Sequence, residues 1–239
     1  MSIGSQITFT KTKKEHGKKH MVAGSSYEDC IEAEFHICKN PDEIGDEEDK
    51  YFSLDDQREL TRWLNRNYFC KFRPLGCGYE NMFFVGSFNL EKIELAGKVV
   101  GMTLHFSSDR PFALLNTVVY KFEITEANQT KIIRDISDEI GYIYPKLKVT
   151  CNADGDLRIT NSADNTTTEI LGCKTGETIT FENLIIESDD IEHESVIMDD
   201  FNFNYPMISN TYKNRFNNLT FSIPCSVVLQ YNPIRKVGV

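Results

Sequence analysis

No stretch of the 239 residues approaches the roughly 20 consecutive apolar side chains that a membrane-spanning helix requires, so no membrane partner is expected. The first 20 residues are polar and lysine-rich, without the apolar segment of a secretory signal. Tryptophan occurs once, proline 7 times and glycine 14 times, which sets aside collagenous and low-complexity architectures. Basic residues are the minority, 26 against 36 acidic ones. The resulting net charge of −10 repels phosphate backbones and argues against specific nucleic-acid binding. The 7 cysteines are scattered, odd in number and without a CxxC pair, and read as small core hydrophobes of a chain made in a reducing cytoplasm.

Catalytic signatures are equally sparse. GxSxG, HExxH, P-loop and GxGxxG patterns are missing, so no enzymatic activity and no cofactor is expected. Cys30, His36 and Cys38 fall on one face of a strand and could share an ion only if Cys70 and Cys77 approached; structural cysteines are the plainer reading, and no metal is assigned. The run Asn152 to Asp156, NADGD, has its glycine two positions early for a calcium loop and lacks the closing glutamate, which leaves a polar turn. His105, alone in a strand, reads as a packing residue rather than a base.

What is present is mostly strand. Residues 30–38, CIEAEFHIC, alternate strictly, with Ile31, Ala33, Phe35 and Ile37 on one face. Residues 82–90, 99–106 and 118–124 read as further strands. One helix interrupts them, SLDDQRELTRWLNR (residues 53–66), with Ser53 as cap and Asp55 and Asp56 in the first turn. Leu60, Trp63 and Leu64 form its expected core stripe; Arg58, Arg62 and Arg66 form a second stripe. Beyond about residue 125, short β-branched segments separated by turn signals argue for a β-sandwich. The fold class expected is mainly β: an α+β domain over 1–130, a sheet carrying one helix, then an all-β domain over 131–239.

Charge is blocked along the chain. Five lysines fall in the first 20 residues, six acids in Asp42 to Asp49, and seven acids in Glu187 to Asp200. The last 27 residues carry Lys213, Arg215, Arg235 and Lys236 and no acid. Such blocks are either solvated loops or the two halves of a head-to-tail contact between copies. In the second case the Arg58, Arg62 and Arg66 stripe would meet Asp46, Glu47 and Glu48 of the next subunit.

The ordered set SLDDQRELTRWLNR, FFVGSFN and GKVVGMTLHFSSDRPFAL resembles the first domain of siphophage distal tail (Dit) proteins. YIYPKLKVTCNADGDLRITN, GETITFEN and the segment from DDFNFNYPMISN to YNPIRKVG resemble that family's galectin-like second domain. The opening ITFTKTKKEHG departs from the F-N-G turn with which many members begin. The resemblance implies a structural virion protein at the tail tip, a homo-hexameric ring around a channel that passes DNA. It implies as partners the tail tube protein, a tail-associated hub protein and receptor-binding proteins attached to outward-facing second domains. The alternative is a carbohydrate-binding module for host-surface glycan.

Overall fold

The computed structural model describes the backbone of residues 7–13 and 20–27, and residues 30–40, 45, 50–76, 78–211 and 213–237 in full. Two units emerge. One holds the chain up to Leu114 and returns at Arg235; the other spans Leu115–Ile234.

The first unit begins with an antiparallel pair, β1 (Ile7–Lys13) and β2 (His20–Tyr27), with an irregularity between Thr10 and Lys11. Next come β3 (Glu32–Ile37), α1 (Leu54–Leu64), β4 (Cys70–Phe72), β5 (Met82–Leu95), β6 (Lys98–Ser108) and β7 (Ala113–Leu115). β6 pairs with β3 and β5, and β4 pairs with β5. β3 exposes Glu32, Glu34 and His36 and turns Ala33, Phe35 and Ile37 inward, the alternation its sequence predicts. The β5–β6 hairpin closes through Ala96 (φ 53°) and Gly97 (φ 76°), a two-residue turn that needs positive φ at both positions. At Gly86 a Cβ would lie 2.3 Å from the Ser107 carbonyl oxygen, so strand approach there demands glycine. The core is aromatic: Phe72 and Phe88 each pack on Phe106 with rings tilted and 5.0 Å between centroids.

α1 has the predicted cap. Ser53 N donates to Asp56 Oδ2 at 2.8 Å and Asp56 N to Ser53 Oγ at 3.1 Å, a reciprocal capping box. Its core stripe differs from expectation. Gln57 is 8% exposed, Leu60 and Leu64 are half-buried, and Trp63 is 63% exposed. At 3.6 residues per turn, Leu60, Thr61 and Leu64 lie within about 60° of Gln57, whereas Trp63 lies about 120° away. The inward face is therefore centred on Gln57, and Trp63 falls outside it.

The second unit is a β-sandwich. Its strands are β8 (Val118–Ile124), β9 (Gln129–Arg134), β10 (Gly141–Ile143), β11 (Lys146–Cys151), β12 (Gly155–Asn161), β13 (Thr166–Cys173), β14 (Thr178–Glu182) and β15 (Ile185–Ser188). Two single-turn helices follow, α2 (Ile191–Glu194) and α3 (Ile197–Asp200), then β16 (Ile208–Asn210), β17 (Phe216–Phe221) and β18 (Cys225–Tyr231). One sheet has the order β15-β14-β11-β18-β8 and the other β13-β12-β17-β9, with β10 and β16 paired separately. Inward positions alternate without a break on β18, and the strands together bury Leu147, Val149, Leu157, Ile159, Phe181, Phe221, Val227 and Leu229. The last strand, β19 (Ile234–Arg235), joins β7 at the edge of the first unit's large sheet.

Two expectations are corrected. The division falls at Leu114/Leu115, not near residue 130, because β8 pairs with β18 and β9 with β17. Those partners lie about a hundred residues on, and VVYKFEI alternates equally well in either domain. The acids of the run 187–200 are mostly exposed, as expected, but the run is not a loop: α2 and α3 form there and bury His193 and Ile197. Among the described residues no helix is long and apolar enough to cross a membrane.

Candidate assembly surface

α1 is held from below by polar contacts. Gln57 Nε2 donates to the Phe52 carbonyl at 3.0 Å, and Phe52 N donates to the Val99 carbonyl on β6 at 2.8 Å. Lys39 Nζ reaches Asp56 Oδ2 at 2.8 Å and sits over the Phe52 ring. The hydrogen bond from Lys39 comes first, the bonds from Ser53 second, in holding the Asp56 carboxyl down at about 2.

The outer side is different in kind. Leu54, Trp63, Tyr68 and Phe69 are all more than half exposed, Leu54 at the start of α1 and the other three at its end and exit. Arg66 links the helix end to Tyr68: Nε donates to the Trp63 carbonyl at 2.9 Å, and Nη1 donates to Tyr68 Oη at 2.5 Å with the guanidinium 5.7 Å from that ring. Arg58 reaches only Asp55, at 3.7 Å, with both side chains almost fully exposed. Arg62 makes no ion pair among the described residues. Arg58, Arg62 and Lys92 of β5 line an open groove of about 890 Å³ beside the helix. Trp63, Arg66 and Tyr68 line a second groove of about 720 Å³. Exposed Trp and Tyr interleaved with Arg is the side-chain composition that dominates binding energy at protein interfaces.

Arg58 and Arg62 are exposed on α1 and Arg66 is exposed just past its end, and Trp63, expected as core, is exposed beside Arg62 and Arg66. Asp46, Glu47 and Glu48 lie outside the described residues. Leu54, Tyr68, Phe69 and Lys92 were not singled out by sequence pattern; the Tyr68–Phe69 pair just past the helix was the available signal.

Other candidates disperse. His36 takes Thr103 Oγ1 on Nδ1 at 3.1 Å and Glu34 on Nε2 at 3.1 Å; Cys30 Sγ accepts from Ser107, and Cys38 is exposed. Cys77 lies outside the described residues. His105 is not packed inside but stands between Glu91 at 3.3 Å and Glu34 at 3.7 Å on the strand surface. Asp154 Oδ1 accepts from Thr175 N and Oγ1, both at 2.7 Å, and Asp156 Oδ1 accepts from Gly172 N at 3.2 Å, so these carboxylates tie the turn to the end of β13 and the residues after it.

Comparison with known proteins accords with both units. Residues 1–110 match the family model described as phage tail protein N-terminal domain, and residues 112–231 match the phage tail C-terminal domain. No curated protein matches the sequence significantly. The fold resembles the crystal structure of the SPP1 Dit protein (gp 19.1), described as a paradigm of the hub adsorption apparatus in phages infecting Gram-positive hosts. The TM-score is 0.65 at 14% identity, over 97% of this chain and 91% of that one. The chain belongs to the phage tail protein family that these two domains define.

Proposed function

We propose that this member of the phage tail protein family is a distal tail component, six copies of which close into a ring at the tip of the tail. The ring joins the tail tube protein above to a hub protein below, and receptor-binding proteins attach through the second unit. In this reading the protein is structural and performs no catalysis. It is made in the host cytoplasm and works in the virion.

The observation that carries this reading is the agreement of fold with SPP1 Dit across both units. The α1 surface supports it independently. A ring needs a heterologous contact that closes on itself, and Trp63, Tyr68 and the neighbouring arginines supply an aromatic anchor with basic side chains beside it. The net charge of −10 suits a channel that must not retain DNA.

Negative-stain microscopy and light scattering of the full chain, alone and co-expressed with the tail tube and hub proteins, test the reading. Six-fold rings are expected. A chain that stays monomeric in both conditions overturns it.

A further inference from the structure

The sandwich contains a group of donors that the assembly role does not use. Cys173 ends β13, Glu177 lies in the turn that opens β14, and His193 sits in α2. One donor atom from each, the Cys173 sulfur, a Glu177 oxygen and a His193 nitrogen, lies within 4.8 Å of the other two, and all three residues are buried. Cys151, at the end of β11 and fully buried, lies beside them, its backbone N–H donating to the Glu177 carbonyl at 2.8 Å.

Two features of this group are unexplained by ordinary packing. The Glu177 side chain is 1% exposed, and among the described residues its ion partner is His193 rather than a Lys or Arg. Lys174, the nearest base in sequence, turns its ammonium to Asp190 and Glu192 instead. Glu177 is held by Lys174 N at 2.8 Å, Ser188 Oγ at 2.5 Å and His193 Nδ1 at 2.5 Å. A carboxylate removed from water needs a neutralising partner. The second feature is His193 itself, 5% exposed. Its Nε2 makes no hydrogen bond, although Asp200 Oδ2 stands 3.6 Å away. A ring carrying one proton cannot donate to Glu177 and to Asp200 at once.

We propose that Cys173, Glu177 and His193, with Cys151 as fourth donor, form a binding site for a zinc ion. Sulfur, imidazole and carboxylate donors in a closed, four-coordinate arrangement are those of structural zinc. The ion sits on Nδ1, which moves the ring proton to Nε2 and turns it toward Asp200; a ligating histidine commonly gives its other N–H to a carboxylate in this way. Ser188 Oγ and Lys174 N already orient the Glu177 carboxylate. The Cys173 thiol proton leaves to solvent as the thiolate forms. Ligand atoms around zinc stand about 3.3–3.8 Å apart, so Nδ1 and the Glu177 oxygen must separate while the sulfur closes in. Bound there, zinc ties β11, the β13–β14 turn and α2 together.

The test uses the full chain, stripped with chelator and titrated with Zn²⁺ or Co²⁺. The expected result is one ion per chain, a raised melting temperature that chelator reverses, and for Co²⁺ a near-ultraviolet thiolate charge-transfer band with tetrahedral d–d bands. Cys173→Ser and His193→Gln should each abolish the band and lower affinity at least tenfold. A wild-type chain that binds no stoichiometric ion overturns the proposal, as does a band that survives both substitutions. Should the variants not fold, X-ray absorption of the zinc-loaded wild type decides: a sulfur shell at about 2.3 Å supports the site, and oxygen or nitrogen alone overturns it.

Discussion

Gln57 Nε2 donates to the Phe52 carbonyl at 3.0 Å, and this amide, not the Trp63 ring six residues on, is what α1 turns inward. Trp63→Ala should therefore leave the stability of the isolated chain within about 0.5 kcal/mol of wild type, as exposed positions do. Gln57→Ala should cost about 1–3 kcal/mol, because it removes a bond from a partly buried carbonyl. Urea unfolding of both variants checks the contrast. Assembly should show the opposite order, with Trp63→Ala the more damaging. A Trp63→Ala chain that unfolds several kcal/mol early would return the ring to the core.

The capping box predicts a pH signature. The folded Asp56 pKa is depressed from 3.8 to about 2, chiefly by Lys39 and then by Ser53. Its contribution is present in full above the ordinary value and is lost as pH falls toward 2. The gap in urea midpoint between wild type and Asp56→Asn should hold constant from pH 7 to about 5 and close toward pH 2. A gap that widens on acidification contradicts the assignment.

How far the sequence could be read depended on whether the deciding interaction was local. The Ser53–Asp56 box and the alternation of β3 are set within a few residues, and both were legible. The inward face of α1 was not, because Leu60, Trp63 and Leu64 fit helical spacing whichever flank meets the sheet. The unit to which β8 belongs was hidden for a similar reason, since its partner β18 comes a hundred residues later. Glu177 and His193 were invisible as a pair: one lies in a turn and the other in an acidic run, and only the fold brings them to 2.5 Å.

Asn217 tests the polar interior of the sandwich. It is fully buried, and its Oδ1 accepts from Asn161 Nδ2 and Ser209 N, both at 2.8 Å, while its Nδ2 donates to the Ser209 carbonyl at 2.9 Å. Asn217→Ala removes the side-chain partner of the Ser209 N–H and carbonyl and one of two partners of Asn161 Nδ2, and should cost about 3 kcal/mol. Asn217→Asp keeps the acceptor, loses the donor and buries a charge, so it should not rescue. Calorimetric melts give the ranking; a near-neutral Asn217→Ala would mean water replaces the amide.

Thiol chemistry should divide by burial. Burial, and secondarily Glu123, push the Cys225 thiol up to about 12, whereas Cys38 is exposed. At pH 8, alkylation followed by peptide mass mapping should modify Cys38 within minutes and Cys225 only after denaturant is added. Early labelling of Cys225 would show that β18 opens locally.

The arginine stripe makes the assembly reading testable at single-residue scale. Arg58 and Arg62 are exposed on α1, and Arg66 is exposed just past its end, where it bonds the Trp63 carbonyl and Tyr68 Oη. Exposed pairs contribute about 0.2–1 kcal/mol each, so Arg58→Glu or Arg62→Glu alone should shift assembly little. A closed ring repeats the contact at every subunit, and small losses then multiply. Reversing all three to Glu should move the protein toward monomer in sedimentation velocity, most strongly at low salt, where like charges are poorly screened. The monomer's own melt should fall by no more than about 1 kcal/mol, the loss of a favourable charge at the helix C-terminus included. Adding Asp46→Lys, Glu47→Lys and Glu48→Lys to the same chain should restore assembly, because the paired charges are exchanged rather than removed. Partial recovery would mean that other acids share the contact. Rings that form equally well in the triple-Glu chain would place the interface elsewhere and leave the stripe as a solvated face.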